Sequence, residues 1–163
     1  MQKEYFVMKK YLLNGQWHLS GNGYEVNGQI PGSVYSFLYL DNSLLPDPHY
    51  RDNEDLYLAL ADHEYTFAKV FSFTPNGRAV SLIFEGLDTL CTVYLNGHKI
   101  ADTDNMHVRY TFDVSDVLAN GETICRSFAI PSPPILKKKT PKPNYSAQTI
   151  VWRVIHTLEK RIV

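Results

Sequence analysis

Only two cysteines, Cys91 and Cys125, occur in the 163 residues. That excludes a disulfide framework and makes a reduced, cytoplasmic setting the expected one. No apolar run approaches the roughly 18 residues of a transmembrane helix, so no membrane association is expected. The segment Met1–Leu13 holds Lys3, Lys9 and Lys10 without a continuous apolar stretch, and so does not read as a secretory signal. Met8-Lys9-Lys10-Tyr11 fits an alternative start, which makes residues 1–7 an over-long beginning. The six histidines (18, 49, 63, 98, 107 and 156) form no His-x-x-x-His pair, and the cysteines no Cys-x-x-Cys; no metal is expected. A Gly-rich phosphate loop and a Gly-x-Ser-x-Gly elbow are both missing. Cys91 sits in a strand pattern with nothing nearby to lower its pKa, the setting of an inert buried thiol. There is no internal repeat.

What is present is a chain with 44% hydrophobic and 13% aromatic residues, enough for the core of one domain. The net charge of −1 gives no general case for nucleic-acid binding, but it hides a division. Residues 1–122 carry eight basic and sixteen acidic side chains, whereas residues 123–163 carry eight basic side chains and one acid, Glu159. Five of the nine prolines also fall in that last quarter.

The local patterns are mostly β. Cys91, Val93 and Leu95 alternate with Thr92 and Tyr94 and run into Asn96-Gly97, the dipeptide of a type I′ hairpin turn; Lys99-Ile100-Ala101 is the return strand. Val108, Tyr110, Phe112 and Val114 alternate with polar residues, as in a half-buried antiparallel strand. Val80–Phe84 is an apolar run stopped by Glu85-Gly86. Tyr65, Phe67, Phe71 and Phe73 share a parity interrupted by Lys69, which is expected to mark a bulge or an edge. Pro75-Asn76-Gly77 supplies a turn. Leu13–Leu19 reads as a turn entering a strand. Ser33 can cap a short helix near 33–40 with Val34, Phe37 and Leu38 on one face. Residues 49–64 read mostly as loop. Short strands with turns between them predict an all-β sandwich.

The dense polar cluster is Arg51-Asp52-Asn53-Glu54-Asp55. Its plain reading is a solvated loop. Its functional reading is sugar recognition, since hydroxyl groups are read by carboxylates, amides and guanidinium beside aromatics such as His49-Tyr50 and Tyr57. Tyr50, Arg51, Asp52 and Asn53 are therefore the candidate substrate-binding residues. No catalytic residue is assigned. Retaining glycoside hydrolysis needs two carboxylates about 5 Å apart on a rigid scaffold, and the chain has no alternation of strands and helices to build a barrel.

Seven short elements in order over residues 11–122 carry a resemblance: Leu13–Trp17, Ile30–Val34, Asp47–Glu54, Phe84–Thr89, Val93–Gly97, Asp104–Met106 and Phe112–Val114. Together they resemble the N-terminal domain of family 2 glycoside hydrolases, and within them the β-mannosidases. His63 departs from the family's usual Trp. The resemblance implies a jelly-roll, galactose-binding-like β-sandwich that packs beside a catalytic barrel and helps shape a pocket for β-mannosides. It implies no metal and no organic cofactor. The barrel with its two glutamates is absent from this chain, and so is the Gly-Trp-Asp-Trp-Gly segment that makes most of the domain's own sugar contacts.

The expected organisation is an N-terminal extension at 1–10, the sandwich at 11–122 and a basic, Pro/Lys-rich tail at 123–163. The family pattern stops after Gly121-Glu122, where a strand should follow. Read with each third base joined to the next two, the tail can encode Asn-Leu-Gln-Val-Val for that strand and Ile-Arg-Lys-Ala-His-Cys near the end. The expectation is thus a truncated, incomplete sandwich with an irregular tail translated out of frame. Val151, Trp152, Val154, Ile155 and Leu158 also fit a short helix, and the basic tail as a linker or nucleic-acid arm is the competing reading.

Overall fold

A computed structural model describes residues 9–74, 79–118, 121–129 and 156–160. Among the described residues ten strands form two antiparallel sheets. They are β1 (Lys9–Leu12), β2 (Gly15–Gly21), β3 (Tyr24–Ile30), β4 (Tyr65–Phe73), β5 (Val80–Phe84), β6 (Cys91–Leu95), β7 (His98–Thr103), β8 (Tyr110–Asp113), β9 (Gly121–Ala129) and β10 (His156–Lys160). The larger sheet runs β3-β2-β4-β9-β6-β7 and the smaller β1-β10-β5-β8. A π-helix (Ser36–Asp41) and one α-helix, α1 (Glu54–Leu60), lie between β3 and β4. The expected β-sandwich is what forms.

The inner faces follow the period of two. Trp17, Leu19, Phe67, Val93, Leu95 and Cys125 of the larger sheet are buried together with Val80, Leu82 and Phe84 of β5. Burying each large apolar side chain contributes about 1.5–3 kcal/mol. The Trp17 indole N–H donates to the Leu13 carbonyl at 2.8 Å, so its one polar atom is satisfied. At the β6–β7 turn Asn96 has φ 50° and Gly97 φ 82°, the two left-handed residues that a type I′ turn needs.

The Ser33 cap forms reciprocally. The Ser36 amide donates to Ser33 Oγ at 3.2 Å, and the Ser33 amide to Ser36 Oγ at 2.7 Å. The π-helix then buries Phe37 and Leu38. It lies so close on edge strand β3 that a Cβ at Gly28 would stand 2.5 Å from Phe37 Cγ. The Gln29 amide donates to the Asp41 carboxylate at 2.9 Å, so the edge is covered rather than left open to another strand.

Four features depart wholly or in part from expectation. Lys69 marks no bulge, since β4 pairs in unbroken register with β9 from Tyr65↔Ala129 to Phe73↔Gly121, but it does stand where the opposite side of β4 becomes an edge, just past the last β2 pair at Ala68. Lys69 keeps the inward parity because β2 stops pairing with β4 at Ala68. Its ammonium donates to the Gln16 carbonyl at 2.9 Å and sits 5.9 Å from the Trp17 ring centroid, with its pKa lowered by burial. Within 49–64, residues 54–60 are helical: Glu54 and Asp55 occupy the first turn, where carboxylates offset the exposed amides, and leucines and alanine follow. The boundary expected at residue 122 falls inside β9, which pairs on to Ala129. Leu158, assigned to a possible helix, lies in β10, which sits between β1 and β5. The turn at 75–77 and residues 151–155 lie outside the described residues.

In β9 the buried position 123 holds a threonine with 0% exposure, while Ile124 is 37% exposed. The Thr123 hydroxyl has no hydrogen-bond partner among the described residues. A buried hydroxyl without a partner costs on the order of 1–3 kcal/mol. Thr123→Val keeps the shape and removes that cost, so the variant should be more stable by about 1 kcal/mol. Urea melts of the two proteins check this, and a loss of stability would contradict it.

On the outer face of β2, His18 Nε2 lies 2.6 Å from Glu25 Oε2, and Nδ1 lies 3.1 Å from Asn27 Oδ1. The bond to the Glu25 carboxylate, and then that to Asn27, raise the histidine pKa above 6.5. A raised folded-state value stabilises fully below the unfolded pKa and is lost as pH rises through the folded one. The pair is exposed, so it is worth at most about 1 kcal/mol. The stability gap between wild type and Glu25→Gln should therefore be larger at about pH 5.5 than at about pH 8.5. Denaturation at the two pH values measures it.

Candidate functional site

The turn before α1 gathers the four residues singled out in the sequence. Asp47 opens it: its carboxylate accepts from the His49 amide at 2.9 Å, and its carbonyl accepts from the Tyr50 amide at 3.2 Å. The Asn53 side-chain amide donates to the same carbonyl at 2.7 Å. The Tyr57 hydroxyl donates to the Pro46 carbonyl at 2.7 Å. The start of α1 thus closes the loop on both sides, and a loop of polar residues gains a fixed shape.

Tyr50 and Arg51 stand at the tip. Tyr50 is 59% exposed, and the Arg51 guanidinium carbon lies 5.1 Å from its ring centroid. Arg51 takes φ 52°, a left-handed conformation uncommon for a residue with a Cβ. Asp52 is exposed, and its carbonyl accepts from the Asp55 amide at 3.1 Å. The result is an aromatic face, a cation stacked on it and a nearby carboxylate. These groups can meet a sugar ring's C–H face and its hydroxyls. Asn53 is placed differently from the other three, because its amide protons serve the loop itself.

A second set of side chains stands behind the turn. The Tyr57 ring is 5.6 Å from Tyr35 and 6.4 Å from Tyr39. Burial raises the Tyr35 pKa, and the Asp88 charge adds to the rise. The Thr89 hydroxyl donates to the Asp88 carboxylate. Tyr35, Tyr39 and Asp88 were not singled out in the sequence. The available signal was the spacing of Tyr35 and Tyr39, four apart and so on one side of a helix capped by Ser33.

Both cysteines are buried and unpaired, and desolvation pushes each thiol up to about 12. Cys125 stands opposite Leu95 and Cys91 opposite Ala129, four positions apart along the β6–β9 ladder. No group of three metal-ligating side chains occurs among the described residues. No described helix is long and apolar enough to cross a membrane.

A family model described as a glycosyl hydrolase 2 galactose-binding domain-like domain matches residues 16–156. The β-mannosidase of Mus musculus is 34% identical over 123 residues, which cover 72% of this chain and 14% of that protein. The β-mannosidase of Bos taurus is 39% identical over 108 residues, covering 63% and 12%. This chain therefore spans about one eighth of the length of the curated relatives it matches. Among solved structures, the β-D-mannosidase of Dictyoglomus thermophilum superposes with a TM-score of 0.75 at 24% identity, over 93% of this chain and 22% of that one. The exo-chitosanase of Amycolatopsis orientalis gives 0.73 at 15% identity, over 94% and 20%. At these identities the two structures establish the fold alone.

Proposed function

This chain belongs to the glycosyl hydrolase 2 galactose-binding-like family, and we propose that it serves as the non-catalytic N-terminal domain of a β-mannosidase-like hydrolase. The observation that carries this reading is a match over 72% of the chain to only 14% of a β-mannosidase. The parent reaction is the retaining hydrolysis of terminal β-D-mannosides, and its two carboxylates, about 5 Å apart, belong to a separate catalytic body. In this reading Tyr50, Arg51 and Asp52 touch the sugar, while Asn53 holds their turn in place. Two buried, unpaired thiols are compatible with a cytoplasmic site of action.

A second reading, a free-standing carbohydrate-binding module, is favoured by the exposed Tyr50 face with Arg51 upon it. The two readings separate in one set of measurements. Under the first, the purified chain releases nothing from p-nitrophenyl β-D-mannoside, and β-1,4-mannobiose binds only at millimolar levels. That weak binding falls at least tenfold in Tyr50→Ala and Asp52→Asn by calorimetry or NMR titration. Micromolar binding would favour the free module. Release of mannose by the chain alone would overturn both.

We propose further that residues 123–163 are translated from a shifted reading frame. The charge reversal at that point supports this, as does the inverted polarity of Thr123 and Ile124 in β9. The family match to residue 156 stands on the sequence as it is. The nucleotide sequence after the codon for Glu122 decides: the shifted register should encode an alternating apolar strand and an acidic segment, and a register without them ends the proposal.

A further inference from the structure

The dipeptide Asn-Gly recurs along the chain, at Asn14, Asn22, Asn27, Asn76, Asn96 and Asn120. Asparagine before glycine is the pair most open to spontaneous deamidation, because no side chain on the glycine hinders its backbone nitrogen from reaching the asparagine amide carbon. Two of these pairs sit in hairpin turns of nearly the same backbone. Asn96 and Gly97 have φ 50° and 82°, and Asn22 and Gly23 have φ 47° and 78°. A Cβ at Gly97 or at Gly23 would meet nothing within 4 Å, so both turns are open to water.

What holds the two asparagines differs. The Asn96 backbone amide donates to the Ile124 carbonyl at 2.9 Å, and the Ile124 amide donates back to Asn96 Oδ1 at 3.0 Å. Asn96 Nδ2 donates to the Val117 carbonyl at 3.0 Å. The β6–β9 ladder reaches Leu95↔Cys125 at this end, and the Asn96 side-chain oxygen supplies the acceptor of the next rung where the main chain turns away. Both partners of the side chain are backbone groups, so the contact does not depend on which side chains stand at 117 and 124. Asn22, by contrast, is exposed at the β2–β3 hairpin, and β4 stands between β2 and β9.

We infer that Asn96 is a deamidation site latched shut by β9, and that its conversion is one-way. In the reaction the Gly97 nitrogen bonds to Asn96 Cγ and gives up its proton to solvent, while Nδ2 takes up a proton and leaves as ammonia. Water then opens the cyclic imide at either carbonyl, giving aspartate or isoaspartate. While the latch is closed, the side-chain amide is aimed at Val117 and Ile124 and cannot swing to Gly97 without breaking both of its bonds. Local opening of β9 frees it. Neither product restores the latch. Aspartate sets an acceptor against the Val117 carbonyl in place of a donor, and isoaspartate adds a methylene to the main chain of the turn. An opening of this end of the sheet can thus leave a covalent record, and the altered chain reopens more readily.

The test ages the full chain in mildly alkaline buffer, with and without guanidinium, and follows residues 22 and 96 by digestion and mass spectrometry. In guanidinium the two are expected to convert at similar rates. In the folded chain Asn96 should convert slower than Asn22 by about tenfold or more, since only the opened fraction reacts. The product is made directly as Asn96→Asp, in which the Ile124 amide should exchange its hydrogen about tenfold faster than in wild type. Equal conversion of Asn22 and Asn96 in the folded chain overturns the latch. Wild-type protection of the Ile124 amide in Asn96→Asp overturns the one-way step. The rate comparison uses the unaltered chain, so it decides even where Asn96→Asp fails to fold.

Discussion

The larger sheet depends on one strand. β9 pairs along its whole length with β4 and, through residues 125–129, with β6. Without it the sheet separates into β3-β2-β4 and the β6–β7 hairpin, and neither part can bury its apolar face. β10 has the same position in the smaller sheet, between β1 and β5. Both central strands come from the C-terminal part of the chain, so the sandwich is closed by pairing between segments distant in sequence. Such pairing must offset the entropy of closing large loops before it is rewarded.

That dependence explains which parts were legible in the sequence. The hairpin at Asn96-Gly97 and the Ser33 cap are local: a few adjacent residues dictate them, and the structure has both. The strands at 80–84 and 110–113 were legible because alternation with one buried face leaves a pattern. β3 was not, since Tyr24-Glu25-Val26-Asn27-Gly28-Gln29-Ile30 is mostly polar and contains a glycine. Its glycine serves the close approach of the π-helix, a contact no sequence window contains. Lys69 suggested a bulge that is not there for a related reason. An inward lysine looks like a break in a strand until the carbonyls that receive it, 53 and 55 residues earlier, are brought beside it.

The candidate site was legible in composition and only partly in geometry. Tyr50 to Asn53 do form one turn, as their adjacency required. What the sequence did not show is that Asn53 closes the turn from within, or that Tyr35, Tyr39 and Tyr57 stand behind it. The acidic run also concealed α1, because carboxylates that read as loop chemistry are equally first-turn residues of a helix.

The molecule therefore has two unlike surfaces. Between the sheets, apolar side chains are enclosed and their polar atoms mostly paired. At the β3–β4 connection, by contrast, leucines are held out on elements that are themselves well fixed by Ser33, Asn53 and Tyr57. Disorder does not account for that exposure, since the hydrogen bonds that hold these elements are short and specific. Leucines held in water on fixed elements are costly, since burying a side chain of that size would contribute about 1.5–3 kcal/mol.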